Sequence, residues 1–137
     1  MPITLQDLYA DPLFIGKVER SIKAEIMSWT FETQNPKAIN PSTVAPMAVS
    51  LDTVKFSGED EERIQGEVVI SSRIAVSAHI TTQFKVRTAD QDEDVTEDIT
   101  QDFKGFMNFS LPWGWQARDI KFVTESAQVV LNDLRPS

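Results

Sequence analysis

Between Ile64 and Val86 the apolar residues keep to even positions: Ile64, Val68, Ile70, Ile74, Val76, Ala78, Ile80, Phe84 and Val86. The odd positions are polar, Gln65, Glu67, Ser71, Arg73, Ser77, His79, Thr81, Gln83, Lys85 and Arg87, with Val69 and Ala75 as exceptions. Successive side chains of a strand point to opposite faces, so this run predicts a strand with one face buried and one in water. Held straight it would reach about 75 Å at ~3.3 Å per residue, whereas a chain of this length has a radius of gyration near ~14 Å. A sharp bend or break is therefore expected. Ser71-Ser72-Arg73, where an even position lacks its apolar side chain, is the expected place.

Residues 95–111 repeat the alternation on odd numbers, with Val95, Ile99, Phe103, Met107, Phe109 and Leu111 on one side. Thr96, Asp98, Thr100, Asp102, Lys104 and Asn108 occupy the other, and Phe106 is the misfit among them. Folding this run back through a polar turn over 89–94 predicts a hairpin flanked by Thr88 and Val95. Phe84 would then meet Ile99, Ile80 Phe103, Val76 Met107 and Ile74 Phe109, with Lys85 opposite Asp98 on the wet face. A slip by one residue would set an apolar face against a polar one, so only slips by two compete.

The apolar period is different near the start. Phe14, Val18, Ile22, Ile26 and Trp29 form one stripe of an amphipathic helix over about 12–30. Thr4 to Asp7 reads as a capping pair ahead of it, and Asp11-Pro12 as an N-cap followed by proline at the first helical position. Asn35-Pro36, Asn40-Pro41 and Ala45-Pro46 forbid continuation, which predicts a Pro-rich connection over 34–46. Ala48 to Phe56 and Ile64 to Ile70 suggest another hairpin, turning through Ser57-Gly58 and Glu59 to Glu62, with a bulge near Asp52-Thr53 where the apolar parity changes. Arg118 to Val123 reads as a strand, and Ala127 to Leu134 fits a strand or a helical stripe, with strand preferred. These elements predict an α+β fold in a single domain over 1–137. An N-terminal amphipathic helix packs on a bent antiparallel sheet of four or five strands in meander order, the strands falling within 47–134.

Composition adds where the charge sits. Of 13 basic and 21 acidic side chains, residues 57–102 hold four and twelve, an imbalance equal to the net −8 of the whole chain. It concentrates in Glu59, Asp60, Glu61, Glu62 and in Asp90, Asp92, Glu93, Asp94, Glu97, Asp98. Such a surface repels phosphate backbones and anionic lipid, so neither nucleic acid nor membrane is the expected partner. With no apolar run of membrane-spanning length, no signal-peptide pattern in Met1 to Tyr9 and no Cys, the expected compartment is the cytoplasm.

Candidate chemistry is sparse. His79, the one histidine, shares its wet face with Ser77 and Thr81, but neighbours two apart on a strand stand nearly ~7 Å from each other and no nucleophile elbow accompanies them. An exposed sheet histidine is the better reading. Glycines scattered singly at 16, 58, 66, 105 and 114 build no phosphate-cradling loop. Asp90 to Asp94 invites a calcium reading, but an EF-hand loop begun at Asp90 needs glycine at 95 and glutamate at 101, where the chain has Val95 and Gln101. A solvated acidic turn accounts for it better, and neither metal nor cofactor is expected. Trp113-Gly114-Trp115, ahead of Arg118, is the one aromatic cluster in an expected loop. It either seals the end of the sheet or presents an indole to a partner.

These features lead to an expectation of a non-catalytic protein-binding module: an inhibitor, an immunity or regulatory partner, or a subunit of a larger assembly. Its contact residues would be Trp113, Trp115, Arg118 and the two acidic clusters, and its partner a protein with a basic surface, homo-oligomers being open. The alternative is a binder of a small apolar ligand in a cavity between helix and curved sheet. A cavity of roughly 300 Å³ under the helix would favour the ligand reading and a filled core the surface reading.

Overall fold

A computed structural model of the chain describes residues 2–29, 31–32, 43–89 and 91–137. Two helices, α1 (Leu5–Ala10) and α2 (Pro12–Met27), precede the strands β1 (Phe31–Glu32), β2 (Thr43–Val44), β3 (Pro46–Ile64), β4 (Glu67–Thr88) and β5 (Gln91–Pro112). A 3-10 turn (Trp115–Ala117), helix α3 (Ile120–Ser126) and strand β6 (Gln128–Pro136) follow. Strands β3-β4-β5-β6 form one antiparallel sheet in meander order, and β1 pairs with β2 separately. This is the α+β architecture expected from the alternation. The Pro-rich connection lies outside the described residues as far as 42, and β3 begins at Pro46.

Local chemistry starts each helix. Thr4 and Asp7 cap α1 reciprocally, Thr4 N donating to Asp7 Oδ2 at 2.8 Å and Asp7 N to Thr4 Oγ1 at 3.2 Å. The Asp11 carboxylate accepts from Leu13 N at 2.8 Å, with Pro12 at the first position where no donor is needed. Helix α2 ends at Met27, short of the expected 30, because the Ser28 hydroxyl donates back to Glu25 O at 2.6 Å. Its stripe of Phe14, Val18, Ile22 and Ile26 is fully buried in the cluster that holds Ile74, Val76, Ala78, Ile80, Phe103, Met107 and Phe109. Aromatic edges fix the layers further. Phe14 meets Phe109 edge-on with centroids 5.1 Å apart, and Tyr9 stacks on Phe56 at 4.5 Å. Burial, with the Glu59 carboxylate second, pushes the Tyr9 phenol up to about 12, so it stays neutral.

Several expectations need correction. The central hairpin keeps the expected parity but not the register. Phe84 faces Val95, Ile80 faces Ile99, Val76 faces Phe103 and Ile74 faces Gly105, a slip of four residues. Thr88 pairs with Gln91, well inside the expected turn over 89–94, and Ala89 is in the left-handed region at φ 54. This register sets Lys85 opposite Asp94. Thr81 now faces Asp98 and donates to its carboxylate at 2.9 Å.

The first hairpin likewise turns at Gln65-Gly66, both at positive φ (49 and 81), as a two-residue turn of matched twist requires. Both acidic clusters, described as far as they are, thus sit on strands instead of turns. Strand β4 does not break at Ser71–Arg73. The irregularity falls on its neighbour, where β3 shifts register between Ser57 and Asp60 as well as at the expected place between Leu51 and Thr53. Bulges of this kind bend a strand without ending it. The buried Ser72 hydroxyl donates to Ser57 O at 3.2 Å opposite that second shift.

Residues 118–123 are not a strand. Asp119 accepts from Lys121 N at 2.8 Å and opens α3, which buries Val123 and Thr124. Residues 128–136 are the strand expected there. Lys17 of α2 ties α3 down: its Nζ donates to the carbonyls of Thr124, Glu125 and Ala127 at 2.6, 3.0 and 2.9 Å, completing acceptors that a helix C-terminus leaves open. Replacing Lys17 with Met keeps the stem and removes the donors, and should cost about 1–2 kcal/mol in a urea melt. An unchanged midpoint would mean that water caps those carbonyls equally well.

Candidate functional site

The aromatic loop divides. Trp115 is 3% exposed and joins the core, while Trp113 is 53% exposed. The Arg63 guanidinium lies over the Trp113 ring at 4.5 Å from its centroid, and Arg118 lies over Phe122 at 5.5 Å, away from both indoles. Because Glu67 pairs with Pro112, Trp113 emerges at the end of the sheet where β3 turns into β4. Glu59, Asp60, Glu61 and Glu62 are all exposed on the last stretch of β3, an edge strand. Asp60 and Glu62 share a face with Ser71 and Val69, while Glu61 and Arg63 share the other with Ile70 and Val68. Glu61, Arg63 and Trp113 therefore stand together at one end.

Asp92, Glu93 and Asp94 are exposed at the opposite end, beside the β4–β5 turn, and Asp90 lies outside the described residues. A strand the length of β4, 22 residues, separates the two clusters. Sequence order suggested two similar acidic turns; the sheet places them at its two extremes.

His79 sits between them on the wet face and has partners the sequence did not reveal. Its Nε2 is 2.9 Å from Asp52 Oδ2 on β3, and Thr100 Oγ1 on β5 is 3.0 Å from its Nδ1. A hydroxyl, an imidazole and a carboxylate in line are the parts of an activated nucleophile. Here all three lie on an open sheet face, with the imidazole side chain 52% exposed and the backbone donors alongside committed to the ladder. The three side chains link β3, β4 and β5 across the sheet as a cross-strand clasp. Asp52 reaches His79 because the bulge after Leu51 re-aims it, a contact that two-residue periodicity cannot foretell.

A second group was also missed. Arg73 pairs with Phe106, and Lys104 pairs with both Ala75 and Arg135, so the sheet register gathers three cations around the one apolar misfit of β5. Arg73, Lys104, Phe106, Asp133 and Arg135 line an open depression of about 390 Å³. It forms where Gly105 is opposed by two residues of β6, between the Lys104–Arg135 and Phe106–Asn132 pairs, with Asp133 at φ 53. The signal in the sequence was Phe106 itself, an aromatic at a wet-face position. Further depressions among the described residues lie at the edge of α2 beside Val129 and at the N-terminal turn near Pro2 and Asp11.

Among the described residues no helix is long and apolar enough to cross a membrane. No protein-family model, curated protein or solved structure matches the chain.

Proposed function

We propose that the protein is a non-catalytic, cytoplasmic binding module whose partner is a protein with a basic surface, engaged at the Trp113 end of the sheet. The observation that carries this reading is the exposed Trp113 indole, clasped by Arg63 next to the exposed Glu59 to Glu62 on an edge strand. An ordered indole offers a large contact area with little entropy left to lose, which is why such residues anchor interfaces. The carboxylates around it add long-range attraction that accelerates encounter. The filled layer beneath α2 supports the surface reading over an apolar ligand: Phe14, Val18, Ile22 and Ile26 meet their neighbours with no exposed surface. Inhibitor, regulatory partner and assembly subunit are all roles that such a surface serves.

Trp113→Ala should leave the fold intact, because the ring contributes little to the core, and should weaken partner binding by about 2 kcal/mol or more if it is the anchor. Affinity capture from the native host with parent and variant side by side tests this. A protein retained by the parent and lost from the Trp113→Ala column supports the reading. Identical retention on both columns overturns it.

A further inference from the structure

We propose that the depression around Phe106 binds a small dianion carrying an apolar ring. Three observations converge on this chemistry. Arg73, Lys104 and Arg135 face one opening, against one carboxylate, Asp133, in a chain where acids outnumber bases 21 to 13. Neither Arg73 nor Lys104 has a hydrogen-bond or ion-pair partner among the described residues, and Arg135 reaches Asp133 only at 3.5 Å with both side chains mostly exposed. Phe106, 47% exposed in the middle of a sheet face, supplies an aromatic wall to the same opening.

A merely structural surface would place these residues differently. Like charges on adjacent rows of a sheet repel, and elsewhere on this face carboxylates are met by polar partners, Thr81 donating to Asp98 at 2.9 Å and His79 lying 2.9 Å from Asp52. At the pocket Arg73 and Lys104 have no such partner among the described residues. Two guanidiniums offer forked donors that match a phosphate or carboxylate bidentately, and the ammonium adds a point charge. The net excess of cations fits a doubly charged head. The ring of the ligand would lie on Phe106, since offset aromatic contact adds to area burial. A volume of about 390 Å³ lies within the range of small-molecule sites. The β6 bulge at Gly105 and Asp133 builds the recess, for without it Leu134 and Arg135 would continue a flat ladder.

A phosphate monoester and a dicarboxylate share this chemistry, and calorimetric titration with phenyl phosphate and with phthalate distinguishes them. We expect saturable one-to-one binding of at least one probe, the tighter naming the class of head group. The double variant Arg73→Gln/Lys104→Gln should weaken it by about tenfold or more, because charge-assisted hydrogen bonds are lost. Phe106→Ser should reduce phenyl phosphate to the affinity of inorganic phosphate while leaving inorganic phosphate itself unchanged. All three side chains are exposed, so the variants should melt as the parent does, and Lys104→Gln alone serves if the double variant does not fold. The proposal is overturned by no binding of either probe at about 10 mM, where even a weak site would show. It is equally overturned by affinity unaltered in the charge variants, or by an acidic peptide such as oligoglutamate binding more tightly than both probes.

Discussion

Replacing Ile22 with aspartate should abolish the folded state or lower its stability by about 4 kcal/mol or more, since a carboxylate would enter an apolar layer with no partner. Ile22 has no exposed surface and lies mid-way along the buried stripe of α2, with Val18 one turn before and Ile26 one turn after. An aspartate there can neither reach water nor find a cation on its own helix face, so protonation is its only relief, and that too is unfavourable at neutral pH. Ile22→Val is the control and should cost about 1 kcal/mol, a methylene and a small cavity. Urea melts of the two variants check this. A melt of Ile22→Asp that matches the parent would mean that another face of α2 packs on the sheet.

The second large effect should come from Gly105. A Cβ built there would lie 2.8 Å from Leu134 Cα, 3.0 Å from Leu134 N and 3.1 Å from Asp133 O, all backbone atoms of the bulge in β6. Backbone held in a ladder cannot step aside as a flexible side chain does. Gly105→Ala should therefore push β6 off β5 and cost about 3 kcal/mol, the upper range of overpacking. The damage should be local. Amide exchange should accelerate first along Val129 to Leu134, while the β3–β4–β5 amides keep their protection until global unfolding. Exchange and stability equal to those of the parent would show that the strands stand further apart.

What was legible in these residues was whatever burial decides. The even run in β4 and the odd run in β5, joined by a connection too short for a crossover, can share a core face only with that parity, and the parity holds in the structure. The helical stripe from Phe14 to Ile26 and its Asp11-Pro12 start were legible for the same reason, apolar period plus capping chemistry, whereas Trp29 lies beyond the end of the helix. Register was not, because slips by two or four leave parity untouched. The structure sets Thr88 against Gln91 and joins Thr81 to Asp98 by a hydrogen bond of 2.9 Å, and a left-handed alanine is a poor advertisement for so short a connection.

Short segments misled differently. Arg118 to Val123 alternates like a strand, yet Ile120, Val123, Thr124 and Ala127 also fall at helical spacing behind the Asp119 cap, and the cap decides. The candidate site was legible in part. Trp113 and the acids could be singled out by type, but the clasp of Arg63 on Trp113 and the separation of the two clusters depend on where the strands end. The Asp52–His79–Thr100 clasp joins three strands through a bulge, and the basic recess needs a second bulge in β6. Bulges arise from local backbone compromise and leave only faint marks in a sequence.

Surface electrostatics ties these elements to the proposed role. The wet face carries acids at its two ends and cations around Phe106, so a partner with a basic surface would be drawn to the ends and kept off the middle. Charge steering of this kind acts on the association rate and fades as the Debye length falls from about 10 Å at 0.1 M salt to about 3 Å at 1 M. The most direct test is the association rate of the captured partner with the parent and with a variant whose Glu59, Asp60, Glu61, Glu62, Asp92, Glu93 and Asp94 are changed to the neutral amides. At low salt the variant should associate several-fold more slowly, with dissociation and melting temperature nearly unchanged and the difference gone at about 1 M salt. Equal association rates at low salt would contradict the account and leave solubility as the work of the acidic strands.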